Sequence, residues 1–332
     1  MGRGVDAMVS HGFTQMDTDR SVSSVAMVFP GQGSQSPGMG KELFEKYPVA
    51  RQVFEEADDA LGFPISRLCF EGPAEELQLT ENTQPAILTV SVAAFRALSG
   101  AGISAPAFVA GHSLGEYSAL VASGALSLSD AVRTVRARGR YMQEAVPVGT
   151  GAMAAVIGGE LSAIEKACEA ARSGQVCSVA NMNSPNQVVI AGNTEAVDRA
   201  IEALKGVAKR VMRLNVSAPF HCALMKPAQD RLAPDLGALQ FTEPGVGVVT
   251  NVDARATSVP AELRDALVRQ VSAPVRWSES MQLLMQQGVD TFVEVGPGKV
   301  LTGLMRQINR DAKALNVEDA ASLEATRVGL AA

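Results

Sequence analysis

Between residues 109 and 120 the chain reads VAGHSLGEYSAL, which sets Ser113 between Gly111 and Gly115 directly after an apolar run. In that setting G-x-S-x-G is the pattern of a nucleophile elbow. A strand ends in a turn tight enough to need glycine on both sides, the serine oxygen is exposed at its tip, and the following helix aims its N-terminus at the reacting group. Glycine and serine are common residues, so the motif alone is weak, and the strand-turn-helix context is what gives it weight. A serine nucleophile needs a base for its proton, and the chain holds three histidines, His11, His112 and His221. His11 lies in a polar leader. His112 directly precedes Ser113, and neighbouring side chains diverge in a sharp turn. By elimination the base is His221, in VSAPFHCALM, where Pro219 suggests a loop entering a helix. The competing reading is a core histidine with its hydrogen bonds satisfied. Cys222 beside it reads as a small buried filler rather than a second nucleophile.

Two glycine-rich stretches invite a phosphate-cradle reading, and both fail on spacing. In GQGSQSPGMGK (31–41), G-x-G-x-x-G would need glycine at Ser36, and a Walker A would need Ser or Thr at Glu42. EVGPGK (294–299) fails the same templates and reads as a strand-to-helix turn. The first loop can instead lie beside the elbow and donate a main-chain N–H to an oxyanion. The segment DAVRTVRARGRYMQEAV holds the most informative charges. At about 100° per residue Arg133, Arg136 and Arg140 share one face, while Arg138 falls with Ala131, Val135 and Met142 on the apolar one. An arginine there snorkels outward, pairs with a structural acid, or awaits an anionic ligand. The three-arginine stripe is by default a solvated face, with Glu144 in reach of Arg140.

These residues need a framework. VAMVF runs into the first glycine-rich loop as a buried strand, helical patterns follow over 41–60 and 84–98, and AFVAG enters the elbow. Such alternation predicts an α/β fold with a mostly parallel sheet covered on both faces. Between about 152 and 216 the order becomes βαββαβ: MAAVI, LSAIEKACEAAR, VCSVAN, QVVIAG, TEAVDRAIEALK and AKRVMRLNV. That is the order of a ferredoxin-like unit, which splits the larger domain. The alternation then resumes with VGVVTNV, a helical stretch over 261–287, TFVEVGPG, and a last amphipathic helix from Val300.

The 332 residues carry 47% hydrophobic content and a net charge of −6, enough for a sizeable core and without the basic face that nucleic acid or a bilayer surface would call for. Cys69, Cys168, Cys177 and Cys222 form no C-x-x-C pair, which argues against structural zinc and a disulfide framework and suits reduced thiols in a cytoplasmic protein. No apolar run reaches the ~18 residues of a membrane span. Residues 1–24 lack the apolar core of a signal peptide and read as a disordered tail.

FPGQGSQ (29–35), GHSLGEYSAL (111–120), RGRYMQEAVP (138–147), HCALM (221–225) and EVGPGKVLTGL (294–304) occur in this order, and together the chain resembles the malonyl-CoA:acyl carrier protein transacylase family. These acyltransferases load malonyl units in bacterial fatty acid synthesis, and the acyltransferase domains of polyketide synthases are their relatives. The resemblance spans about residues 25–310. It implies an α/β-hydrolase-like larger domain over 25–150 and 217–318, a ferredoxin-like subdomain over 151–216, and a C-terminal tail over 319–332. It implies Ser113 as acyl carrier, His221 as base and then acid, and the main-chain N–H groups of Gln32 and Leu114 as oxyanion hole. Arg138 would hold the malonyl carboxylate, and Gln270 would take the place of a triad acid, accepting the imidazole N–H through its amide oxygen. Asn181 and Asn183 fall in a segment facing the site, and His112 and Phe220 flank the two catalytic residues as substrate-binding positions. Many relatives have serine where Phe220 stands.

The expected reaction is ping-pong transfer from malonyl-CoA to the thiol of acyl carrier protein by a monomer, with no cofactor required. The carrier is acidic in this family, so a local basic patch should meet it, with Arg133, Arg136 and Arg140 as candidates. A polyketide synthase is the alternative client. A serine esterase or thioesterase would use the same acyl-enzyme, but it gives Arg138 no partner. A non-catalytic binding module would not need serine, histidine and glycine-rich loop together.

Overall fold

In the computed structural model, which describes residues 24–331, short apolar runs bounded by Gly, Pro and Asn form ten strands among those residues. They are β1 Val25–Phe29, β2 Phe108–Gly111, β3 Gly151–Ile157, β4 Cys177–Ser184, β5 Gln187–Asn193, β6 Arg210–Arg213, β7 Gly247–Val249, β8 Ala256–Thr257, β9 Thr291–Val295 and β10 Lys313–Val317. The helices are α1 Lys41–Lys46, α2 Pro48–Leu61, α3 Ile65–Glu71, α4 Ala74–Leu77, α5 Thr80–Gly100, α6 Gly115–Ala122 and α7 Leu128–Glu144. They continue with α8 Leu161–Ala171, α9 Thr194–Ala203, α10 Lys226–Ala238, α11 Pro260–Gln270, α12 Trp277–Gln286, α13 Val300–Ile308 and α14 Ala320–Ala331. The tail expected over 1–24, and His11 with it, lies outside the described residues apart from Ser24.

The larger sheet runs β10-β9-β1-β2-β7-β8, parallel throughout except for the last pair. Successive side chains on a strand point to opposite faces. Met27, Phe29 and Val109 therefore enter one apolar cluster with Ile87 and Val90 of α5 and Val132 and Val135 of α7. Ala26, Val28 and Ala110 enter another with Met281 and Leu284 of α12 and Leu301 and Met305 of α13. Burying a leucine or valine contributes roughly 1.5–3 kcal/mol. An exposed ion pair such as Lys46–Glu42 is screened by water and adds little beside that burial, so apolar layers hold this domain together. The second sheet, β4-β5-β3-β6, is antiparallel throughout and packs its own cluster, including Ile164, Val197 and Ile190, against α8 and α9. Among the described residues no helix is long and apolar enough to cross a membrane.

Three expectations change. The helix expected over 41–60 is two, because Pro48 clashes with a preceding helical turn and starts α2 instead. The stretch expected to be helical over 261–287 is also two, broken at VSAPVR, where Pro274 disfavours helix in the residue before it. That break ends α11 at Gln270 and leaves Val275 to pair with Ala180 and Met182 at β4. Of the tail expected over 319–332, residues 320–331 form a packed helix instead: α14 buries Leu323 and Thr326, and Thr326 donates to the carbonyl of Asn316 on β10.

The arginine stripe on α7 is less available than expected. Arg133 pairs with Asp130, Arg136 lies 4.1 Å over the Phe63 ring, and Glu144 pairs with Arg231 rather than Arg140.

Candidate active site

β2 enters the elbow and α6 leaves it, and the two glycines are there because nothing larger fits. A Cβ on Gly111 would fall 1.9 Å from the carbonyl of Gly115. Ser113 sits at the tip in the left-handed region, φ 53°, which a non-glycine residue adopts only when its surroundings compel it. Asn251, buried just after β7, supplies that compulsion. Its Oδ1 accepts the Ser113 N–H at 2.7 Å while its Nδ2 donates to the Gly111 carbonyl at 2.7 Å.

His221 also holds a positive φ, 59°, in the loop after β6, and its Nε2 lies 2.7 Å from Ser113 Oγ. Nδ1 lies 2.9 Å from the main-chain carbonyl of Gln270. A carbonyl only accepts, so Nδ1 carries the proton and the Nε2 lone pair faces the serine hydroxyl. That carbonyl is an orphan of the last turn of α11, the negative end of a helix dipole, and it orients the ring as a triad acid would. The expectation for Gln270 is thus corrected in one respect: the main chain, not the side-chain amide, meets the imidazole. The side chain has another task. Its Oε1 accepts from Arg138 Nη2 at 2.8 Å, and its Nε2 donates to the Ser113 carbonyl at 2.9 Å and to Glu116 Oε2 at 2.8 Å.

Arg138 projects from α7 into this cluster and is 1% exposed. Nη1 donates to Gln84 Oε1 at 2.7 Å, Nη2 reaches Ser113 Oγ at 3.2 Å, and Nε has no partner. Among the described residues its hydrogen-bond partners are all neutral. Of the three readings left open by periodicity, snorkelling and a structural acid pair both fail. Burial pulls its pKa below the usual range, against the pull of Tyr117 and Glu116. Burial, then the Arg138 charge, pushes the His221 imidazole down to about 3, so the ring is neutral.

The remaining expected residues lie around this centre. His112 Nε2 is 2.8 Å from Asn183 Oδ1 on β4, its ring is 5.5 Å from that of Trp277, and burial lowers its pKa. The second sheet therefore reaches the elbow directly. Gly31 brings the first loop against the elbow: a Cβ there would fall 2.6 Å from the His112 carbonyl. The N–H groups of Gln32, beside it, and Leu114, at the start of α6, have no hydrogen-bond partner among the described residues. Phe220 is buried in the main core cluster beside His221, and Asn181 is buried on β4. Sequence reasoning missed Gln84, Glu116 and Asn251. The last two carried a signal in retrospect, Glu116 as a charge inside an apolar helix and Asn251 as a polar residue just beyond an apolar strand.

An activated serine, an orphaned pair of N–H donors and a buried unpaired cation together suit acyl transfer from an anionic thioester. The acyl transferase domain family matches residues 26–327. The malonyl CoA-acyl carrier protein transacylase of Salmonella typhimurium is 52% identical over 305 residues, 92% of this chain and 99% of that protein. The crystal structure of an acyl carrier protein S-malonyltransferase from Vibrio cholerae superposes with a TM-score of 0.90 at 50% identity, covering 92% of this chain and 100% of that one. A malonyl-transacylase solved in complex with a type II polyketide synthase acyl-carrier protein gives a TM-score of 0.90 at 49% identity, with coverage of 92% and 100%. The chain belongs to the acyl transferase domain family, among the malonyl-CoA:acyl carrier protein transacylases.

Proposed function

We propose that the protein moves a malonyl group from malonyl-CoA to the phosphopantetheine thiol of acyl carrier protein, by way of a malonyl ester on Ser113, and so supplies extender units for fatty acid synthesis. The names of its relatives support both donor and acceptor. The observation that carries the reading is Arg138, a buried guanidinium 3.2 Å from Ser113 Oγ whose hydrogen-bond partners among the described residues are all neutral. A neutral ester leaves that charge uncompensated, whereas a malonyl thioester brings a carboxylate to it.

His221 Nε2 takes the Ser113 proton as Oγ attacks the thioester carbon, and the oxyanion is held by the N–H groups of Gln32 and Leu114. Collapse of the tetrahedral centre breaks the C–S bond, and coenzyme A leaves with the proton from His221. The carrier thiol then gives its proton to His221, its sulfur attacks the ester carbon, and Ser113 Oγ departs and recovers the proton. His112, Asn181, Asn183 and Phe220 wall the acyl site. In this reading residues 25–150 and 217–318 form an α/β-hydrolase-like domain, which an elbow after β2 of a mainly parallel sheet supports. Residues 151–216 form a ferredoxin-like subdomain, supported by the order β4-β5-β3-β6 drawn from a βαββαβ chain. A cytoplasmic setting suits its four buried thiols.

Arg138→Ala tests this assignment. Removing the partner of a buried carboxylate costs roughly 3–5 kcal/mol. Malonyl transfer is therefore expected to fall by at least about 10²-fold and by as much as several thousandfold, at about 1.4 kcal/mol per decade. An acetyl thioester has no carboxylate to lose, so acetyl transfer rises relative to malonyl. Both donors and the melting temperature are measured on one mutant, and a parallel fall in all three overturns the carboxylate-clamp assignment.

A further inference from the structure

Glu116 lies on the buried side of α6, one turn from the nucleophile, and takes no part in the proton transfers above. It is 1% exposed. Its Oε2 accepts from two directions, the main-chain N–H of Asn251 at 3.0 Å and the side-chain Nε2 of Gln270 at 2.8 Å, while Oε1 has no partner. The other end of the same Gln270 amide receives Arg138 Nη2 at 2.8 Å. A glutamine amide can flip by half a turn at little intrinsic cost, and its direction is set by what surrounds it. Here one orientation satisfies every contact. The flipped one would set an NH2 against the guanidinium, donor against donor, and a carbonyl oxygen against both Glu116 and the Ser113 carbonyl.

We propose that Glu116 is a positioning residue, which locks the Gln270 amide with its oxygen toward Arg138 and so holds the guanidinium where a substrate carboxylate can meet it. This rests on the assignment of Arg138 as the malonyl clamp. Through the Gln270 oxygen and Arg138, Glu116 sets which acyl group is accepted, while its bonds to Asn251 and Gln270, which also hold Ser113, act on both donors alike. Burial drives its carboxyl up to about 7, against the hydrogen bonds from Gln270 and Asn251 and the Arg138 charge. A proton on Oε1 leaves both bonds at Oε2 intact, so the lock works in either protonation state.

Reach and charge separate in two substitutions. Glu116→Gln keeps an acceptor oxygen at the position of Oε2 without the charge, and Glu116→Asp keeps the charge but draws it back by one methylene. The kcat/KM for enzyme acylation is measured with malonyl-CoA and acetyl-CoA on the native enzyme, both variants and Arg138→Ala. The malonyl-to-acetyl ratio should fall about tenfold in Glu116→Asp, the scale of one charge-assisted hydrogen bond, and stay within about twofold of native in Glu116→Gln. Equal losses with both donors in Glu116→Asp, the signature of a structural role, overturn the proposal. So does a ratio lost in Glu116→Gln and kept in Glu116→Asp, which would make the charge itself the active feature. Should Glu116→Asp fail to fold, Glu116→Met, of similar length without an acceptor, takes its place with the same expected fall. A ratio that drops in Arg138→Ala but not in Glu116→Asp, or in the Glu116→Met that replaces it, rejects the lock alone, and an unchanged ratio in Arg138→Ala rejects the clamp and the lock together.

Discussion

Ser113→Ala is expected to form no malonyl-enzyme while melting within a few degrees of the native protein. The hydroxyl's contacts are to His221 Nε2 and Arg138 Nη2, both part of the reaction centre. The strained φ of 53° is held by the main-chain bond to Asn251, which alanine keeps. Alanine in the left-handed region costs about 1–2 kcal/mol, but serine bears a similar cost there, so the difference is small. Loss of the nucleophile therefore shows as chemistry and not as unfolding. Stoichiometric labelling of the mutant by malonyl-CoA would reject Ser113 as the acyl carrier.

His221→Ala should lower transfer by on the order of 10³-fold or more, the remainder coming from binding and the oxyanion hole. A loss below tenfold rules it out as the base. The pH dependence carries the same assignment further. A base works in its neutral form, which exists above its folded pKa, and His221 sits at about 3, with burial the larger cause and Arg138 the next. The acid limb of acylation kcat/KM should thus lie well below the ordinary imidazole value near 6.5. Once the malonyl carboxylate neutralises Arg138 that depression weakens, so the acid limb in kcat, which reports the complex, should lie above the one in kcat/KM. Stability moves in a defined direction too. Below pH ~6.5 the unfolded chain protonates this histidine and the folded chain does not, so its contribution to stability falls by about 1.4 kcal/mol per pH unit toward the folded pKa. His221→Ala should flatten that part of the profile.

The elbow, the α/β alternation and the βαββαβ order were legible because each rests on local rules: glycine where two backbones touch, period-2 and period-3.6 patterns, and turn residues between them. Arg138 stood out for the same reason, as a charge on an apolar helix face. What was not legible depends on contacts across long stretches of chain. Asn251 reaches the elbow from 138 residues away, and Gln84 meets Arg138 across 54. Neither residue type nor spacing announces such a pairing. The role of Gln270 turned on where α11 ends, which Pro274 decides, and that presents a main-chain carbonyl to the base where a side-chain amide had been expected. The last helix lies beyond residue 310, where the resemblance ends, although its alanine- and leucine-rich sequence favours helix by propensity alone.

The most direct measurement is to mix the enzyme with malonyl-CoA labelled in its acyl group, quench in acid, map the label, and chase a parallel sample with carrier protein bearing its phosphopantetheine arm. Ping-pong transfer through the elbow requires a stoichiometric ester on Ser113 that forms without carrier and then moves to the carrier thiol. Turnover with no trapped acyl-enzyme, or label on another side chain such as Cys222, would contradict it.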